Sequence, residues 1–261
     1  MQIKTIIKYI NYWLTSFTEH DLHSPFLYNF YMESVKNEYM FGDFEALNVV
    51  RNKLRSDKSI LQIVDFGAGS KKMNSNERSI SRISKYGIAS QKQAEFLYRL
   101  VNKFSPKIIV ELGTSVGLTT LYLSQANSKS TIYTIEGCPN LFKFSKALFN
   151  TQKVKNINSL NGNFDLEFPK ILSKIDTLDL LYVDGNHTYQ STIQYFNMAL
   201  AKKNPHSIFI FDDINWNEDM QKAWKEIYSN TEITLSLDFF YFGIVFFRKE
   251  QLNKEHFTLK F

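Results

Sequence analysis

From Pro106 onward the chain alternates two patterns that a covered parallel sheet reconciles. Short, continuous apolar runs occur at Lys107–Leu112, Thr131–Glu136, Leu178–Asp184 and Ser207–Asp212, with a weaker one near Asn156–Leu160. Between them, apolar residues recur at helical spacing, as in Phe142–Phe149, Ile193–Leu200 and Met220–Tyr228. A strand that is apolar along its whole length has both faces buried, and the helices that connect parallel strands bury them. Five such strand–helix units are followed by Ile233–Asp238 and Tyr241–Phe247, two strands with no helix between them. These are expected as an antiparallel pair at one edge. The fold class is α/β, a mostly parallel seven-stranded sheet with a terminal antiparallel hairpin.

The first hundred residues read differently. Ile3, Ile6, Ile7, Ile10, Trp13, Leu14 and Phe17 follow the spacing of an amphipathic helix. Ser24 is placed to cap a second helix with Pro25 in its first position, where a missing N–H costs nothing. That helix runs through Leu27, Phe30, Tyr31 and Val35. Further helices are expected over Phe44–Leu54 and Gln91–Phe104, and the polar, basic stretch Gly69–Ser79 is expected to be a mobile loop. The organisation that follows is an N-terminal helical cap or lid over residues 1–104 and a core over 105–261.

Composition narrows the function. An aromatic content of 15% argues against disorder, and Cys138 is the only cysteine, so there is no disulfide framework. No apolar run is long enough for a membrane span, and Met1–Phe17 lacks a small-residue cleavage site. A cytoplasmic protein without a membrane partner is expected. Residues 1–106 carry 15 Lys/Arg against 10 Asp/Glu, and the remainder carries 16 of each, so the whole net charge of +5 lies in the first part. It concentrates between Lys71 and Lys103. The bland reading is a solvated helical face. The functional one is a cationic lid, with Lys71, Lys72, Arg78 and Arg82, that favours an anionic small-molecule acceptor. Nucleic acid is not the expected partner, because no recognised binding motif accompanies the charge.

Ligands of open α/β sheets bind beyond the carboxyl ends of the strands. Those ends here are acidic: Glu111 before the turn Gly113–Gly117, Glu136 before Gly137, Asp184, and the pair Asp212 and Asp213. A dinucleotide needs a glycine where Thr114 stands, and Glu111 would repel its pyrophosphate. S-adenosylmethionine carries no phosphate. Its ammonium, sulfonium and ribose diol all suit carboxylates, and Glu136 stands at the spacing from the first glycine at which an acid accepts from ribose hydroxyls. A second glycine-rich segment, Asp65–Gly69, has no apolar helix after it, so the cofactor is assigned to Gly113–Gly117.

On these residues Ile108–Phe247 resembles the class I S-adenosylmethionine-dependent methyltransferases, whose fold is a Rossmann-like sheet. Glu111, Gly113, Thr114, Ser115 and Gly117 resemble that family's first motif, and Glu136 with Gly137 its ribose-binding strand end. The resemblance makes Asn161–Phe164, with Asn163 and Phe164, the loop that brackets the adenine. Asp184–His187 and Asp212–Ile214 resemble strand ends of small-molecule O-methyltransferases. Together with His23–Phe26 and Asp65–Gly69 they bring the chain closest to an uncharacterised bacterial branch of that family, which implies no particular acceptor.

Transfer of a methyl group to oxygen requires removal of the acceptor's proton. His187, three residues past a strand end, is placed to be the base, with Asp184 beside it, and the resemblance supports that role. The alternative is that His187 caps or packs the helix that follows. Asp184, Asp212 and Asp213 could together hold Mg²⁺ or another divalent cation, as in metal-dependent O-methyltransferases. The metal-free alternative has Asp184 binding the cofactor or the acceptor and Asp212 capping a turn. A silent S-adenosylmethionine-binding module, or less readily an NAD(P)-linked oxidoreductase, are the rival functions.

Overall fold

The structure is a computed structural model that describes residues 3–37, 39, 41–64 and 76–261. Lys71, Lys72 and Asp65–Gly69 lie outside the described residues. The chain divides into two compact units, one of Met1–Asn37 with Thr177–Phe261 and one of Glu38–Asp176.

In the second unit, α3 (Gly42–Ser56), α4 (Ile80–Tyr86) and α5 (Gln91–Phe104) precede three strand–helix pairs. These are β3 (Ile108–Leu112) with α6 (Leu118–Ala126), β4 (Thr131–Glu136) with α7 (Pro139–Thr151), and β5 (Ile157–Asn161) with α8 (Phe164–Lys174). The three strands are parallel, with Ile108 opposite Thr131 and Ile132 opposite Ile157. Val110, Glu111 and Leu112 are all buried, as the continuous apolar run requires. A short antiparallel hairpin of β1 (Ile60–Gln62) and β2 (Glu77–Ser79) stands apart from this sheet. Part of the stretch expected as a mobile loop is therefore ordered: Glu77–Ser79 pairs with Ile60–Gln62, and Ser79 Oγ accepts from Arg82 N to start α4.

In the first unit, α1 (Ile3–Thr15) and α2 (Pro25–Phe30) come from the N-terminal segment. Ser24 caps α2 with Pro25 in its first position, and the helix runs on as a wider π-helical turn, Tyr31–Val35. The remainder supplies β6 (Leu178–Val183), α9 (Tyr189–Leu200), β7 (Lys203–Asp212), α10 (Glu218–Ser229), β8 (Leu235–Asp238), β9 (Phe242–Phe246) and β10 (Glu255–Thr258). The strand order in this unit is β10-β8-β9-β7-β6. β6 and β7 are parallel, β9 is antiparallel to both β7 and β8, and β10 is parallel to β8.

The mostly parallel sheet of the fold thus has eight strands. Two details of the expectation are corrected. The sheet has one strand more than seven, and the β8–β9 pair does not form its edge, because Glu255–Thr258 adds outside β8. An edge strand needs only one buried face, and this one carries Glu255 and His256, so it lacks the continuous apolar run of the inner strands. β9 lies against α10 at Gly243, where a Cβ would come within 2.5 Å of the Trp224 ring.

Candidate functional site

In the second unit the turn after β3 has no room for an ordinary backbone. Gly113, Ser115 and Gly117 all have positive φ, at 114°, 50° and 85°. Gly117 opens α6, and a Cβ there would stand 2.7 Å from the Phe149 ring, so its surroundings are those of helix packing. The turn is tied to β4: Gly113 N and Thr114 N both donate to Ile135 O, at 3.1 and 3.2 Å. Ser115 N donates to Glu136 Oε2 at 2.8 Å, and Cys138 N donates to Oε1 at 2.8 Å. Glu136 is buried, and two backbone amides fix the direction of its carboxylate. Asn161 Nδ2 and Gly162 N donate to Glu136 O, which brings the loop after β5 beside the same strand end. Asn163 caps α8 through Oδ1, 2.8 Å from Asp165 N, and Phe164, half-buried, follows it.

Glu111 is placed differently. It is wholly buried below the turn. Its Oε2 accepts from Thr120 Oγ1 at 2.5 Å and from Thr134 Oγ1 at 2.6 Å, and Thr114 Oγ1 lies 2.5 Å from Thr134 Oγ1. Among the described residues Oε1 has no hydrogen-bond partner. Burial pushes the Glu111 carboxyl up to about 7; the two threonine hydroxyls oppose that, and nearby Glu136 adds to it. The structure therefore brings Gly113, Ser115, Glu136, Gly137 and Asn161–Gly162 together at one strand end, with Thr114 facing inward and Glu111 beneath.

Fitted to S-adenosylmethionine, these residues offer an anchored carboxylate for hydroxyl donors and a turn that lacks a side chain at Gly113. Neither the turn nor Glu136–Cys138 contains a cation that would take a phosphate.

In the first unit, the ends of β6 and β7 and the loops after them bring five ionisable side chains together. Tyr182 Oη donates to Asp212 Oδ2 at 2.8 Å and lies 3.3 Å from Asp184 Oδ2. His187 Nε2 is 3.8 Å from Asp184 Oδ1 and 3.8 Å from Asp213 Oδ2. The backbone is left-handed at Asn186 (66°), His187 (23°) and Asp213 (55°), conformations that cost energy for residues with side chains. Neighbours hold it there. Asn217 Nδ2 donates to His187 O at 3.1 Å, and Asn186 Nδ2 bonds Ser191 Oγ at 2.9 Å and Tyr195 Oη at 3.1 Å. The cap of α9 is Thr188, not His187, with Oγ1 accepting from Ser191 N.

Tyr182 was not foreseen from sequence. Its signal was parity: on an extended strand, positions 182 and 184 share a face.

The three carboxylates do not form an ion cage. Asp212 is buried, with Oδ2 accepting from Tyr182 and Oδ1 from Asp213 N at 3.0 Å. Among the described residues no group of three His, Cys, Asp or Glu side chains is arranged to hold a metal. The donor set does not fit a divalent ion. None of the described helices is long and apolar enough to cross a membrane.

Comparisons with known proteins converge on one fold. A family described as a methyltransferase domain matches residues 110–214. An uncharacterised protein, y4gI of Sinorhizobium fredii, is 27% identical over 165 residues, which cover 58% of this chain and 18% of that protein. The chain thus spans less than a fifth of this curated relative. Among solved structures, a putative O-methyltransferase from Klebsiella pneumoniae superposes with a TM-score of 0.58 at 14% identity, over 84% of this chain and 95% of that one. An O-methyltransferase from Bacillus cereus, in complex with SAH, gives 0.55 at 16% identity over 83% and 95%. TomG from Streptomyces achromogenes, an O-methyltransferase in complex with SAM, gives 0.55 at 17% over 62% and 82%. Residues 110–214 thus match the model of a methyltransferase domain, and the chain shares its fold with solved O-methyltransferases.

Proposed function

We propose that the protein methylates a hydroxyl of a small-molecule acceptor, with S-adenosylmethionine as donor and His187 as general base. The observation that carries the reading is the placement of His187 on a strained turn, its Nε2 facing two carboxylates at 3.8 Å. When bound, the cofactor supplies an electrophilic methyl group on a sulfonium. Glu136 accepts hydrogen bonds from its ribose, and Gly113, Thr114, Ser115, Gly137, Asn163 and Phe164 line its seat. Glu111 acts from below, through Thr134 and Thr114, on the shape of the turn.

His187 takes the acceptor's proton as the acceptor oxygen gains the methyl. Asp184 and Asp213 orient the imidazole and stabilise the charge it acquires. Tyr182 in turn holds Asp184 and Asp212, so the loop keeps its shape. Because the carboxylates are engaged by Tyr182, an amide and His187, the reading is metal-free. The basic excess of residues 1–106 favours an anionic acceptor.

His187→Ala is expected to lower kcat by about 10²–10⁴ and to leave cofactor affinity nearly intact. Full turnover in that variant removes His187 from the chemistry. Cofactor binding by the wild-type protein without turnover of any hydroxylated acceptor would instead leave a binding module.

A further inference from the structure

Helix α1 has three faces. Tyr9 and Tyr12 hold it to its own unit: Tyr12 Oη donates to Leu259 O at 2.7 Å, and both rings pack on Phe240, with centroids 5.0 and 5.2 Å away. Lys8, Asn11 and Thr15 form an exposed polar flank. The third face carries Ile6, Ile7, Ile10, Trp13 and Leu14, and Phe17 continues it past the helix end. These six are 41, 61, 52, 50, 68 and 41% exposed.

At roughly 100° per residue they span an arc of about 120°. Six side chains of this size, about half exposed, present roughly 600–700 Å² of apolar surface, above the roughly 300–600 Å² of the largest patch on a typical monomer. It comes close to the ~800 Å² that each partner contributes to a stable protein complex.

Two observations choose the occupant. The apolar positions are symmetric about Ile10, lying three and four residues to either side of it. A two-fold axis that sets Ile10 against Ile10 in an antiparallel copy therefore sets Ile6 against Leu14 and Ile7 against Trp13. That self-complementarity is what an isologous interface requires. Charge argues against an anionic lipid surface, which is held by several basic residues. Lys8 is the one cation among the described side chains of the helix, and its ammonium is bonded to Gln221 Oε1. Lys260, 4.0 Å from the Trp13 ring, borders the stripe.

We propose that α1 is a homodimer interface, packing antiparallel against α1 of a second copy of this chain about a two-fold axis at Ile10. Sedimentation velocity over a concentration series should show a dimer for the wild-type protein. Ile10→Glu places two carboxylates face to face at the axis and should weaken the dimer at least about 100-fold, with the circular dichroism spectrum unchanged. Asn11→Glu adds the same charge on the polar flank and should leave the dimer intact. Cysteine variants test the register: Ile10→Cys should cross-link to itself on oxidation. Leu14→Cys should do so only when mixed with Ile6→Cys. Buried Cys138 does not compete.

A wild-type protein that stays monomeric at every concentration overturns the proposal. So does a dimer that survives Ile10→Glu, or a monomer that co-sediments with vesicles containing phosphatidylserine.

Discussion

Replacing Glu111 by Gln tests whether a carboxyl beneath the glycine turn is stored without charge. In the folded protein this group titrates at about 7, because burial penalises the carboxylate more than Thr120 and Thr134 stabilise it. Unfolded, it returns to the ordinary 4.5. The native state therefore holds the proton more tightly. Its contribution to stability is complete below pH 4.5 and is lost as pH rises toward 7. A displacement of that size is worth on the order of 3 kcal/mol in all, and about 2–3 kcal/mol of it falls between pH 5 and pH 8.

Glutamine keeps one oxygen for the two threonine hydroxyls and places an amide where Oε1 has no partner among the described residues. That amide costs about 1–3 kcal/mol at every pH. Urea unfolding of both proteins, extrapolated to water at pH 5, 6, 7 and 8, separates the two effects. Relative to wild type the variant should gain about 2–3 kcal/mol between pH 5 and pH 8, on top of the constant offset set by the amide. Parallel stability curves across that range would falsify the account of Glu111 as a neutral buried acid.

Glu136→Ala removes the anchored carboxylate at the end of β4; titration calorimetry should show S-adenosylmethionine affinity falling at least about tenfold, since a hydrogen bond to a charged group is worth roughly 1.5–3 kcal/mol. Unchanged affinity excludes Glu136 from the cofactor's seat. Gly117→Ala combines a left-handed backbone with a Cβ pressed on Phe149 and should lower unfolding free energy by about 2–4 kcal/mol. A stability within error of wild type would show that α6 and α7 give way easily. Turnover assayed with a saturating chelator should persist; loss of activity restored by Mg²⁺ would show that Asp184, Asp212 and Asp213 rearrange to bind an ion.

The five strand–helix units were legible because each inner strand is buried on both faces, so its apolar run is continuous and ends abruptly at a charged or glycine residue. The same property hides which way a side chain points. On β3, Val110, Glu111 and Leu112 are all buried, so alternation carries no information, and sequence could place Glu111 at a strand end without showing that it faces Thr120 and Thr134. β10 escaped for the opposite reason: four half-covered residues at an edge have too little apolar content to read. The pairing of Glu77–Ser79 with Ile60–Gln62 depends on partners fifteen or more residues away, which local composition does not register. Around His187 the residues were visible, but the left-handed turn that aims the ring was not, since neither Asn186 nor His187 is a glycine that would have announced it.

The first unit is assembled from two separate stretches, Met1–Asn37 and Thr177–Phe261. Phe17 N donates to Thr258 O, Lys260 N donates to Phe17 O, and Tyr12 Oη accepts from Phe261 N while it donates to Leu259 O. The second unit is one uninterrupted stretch. During synthesis, which proceeds from the N-terminus at roughly 5–20 residues per second, the whole of Glu38–Asp176 emerges as one run before Thr177 and the residues after it. Helix α1 must wait through more than two hundred residues that follow it before its backbone partners at Thr258–Phe261 emerge. Throughout that interval Ile6, Ile7, Ile10, Trp13 and Leu14 are on a segment without its docking site, and nascent chains on one message hold many copies of it close together.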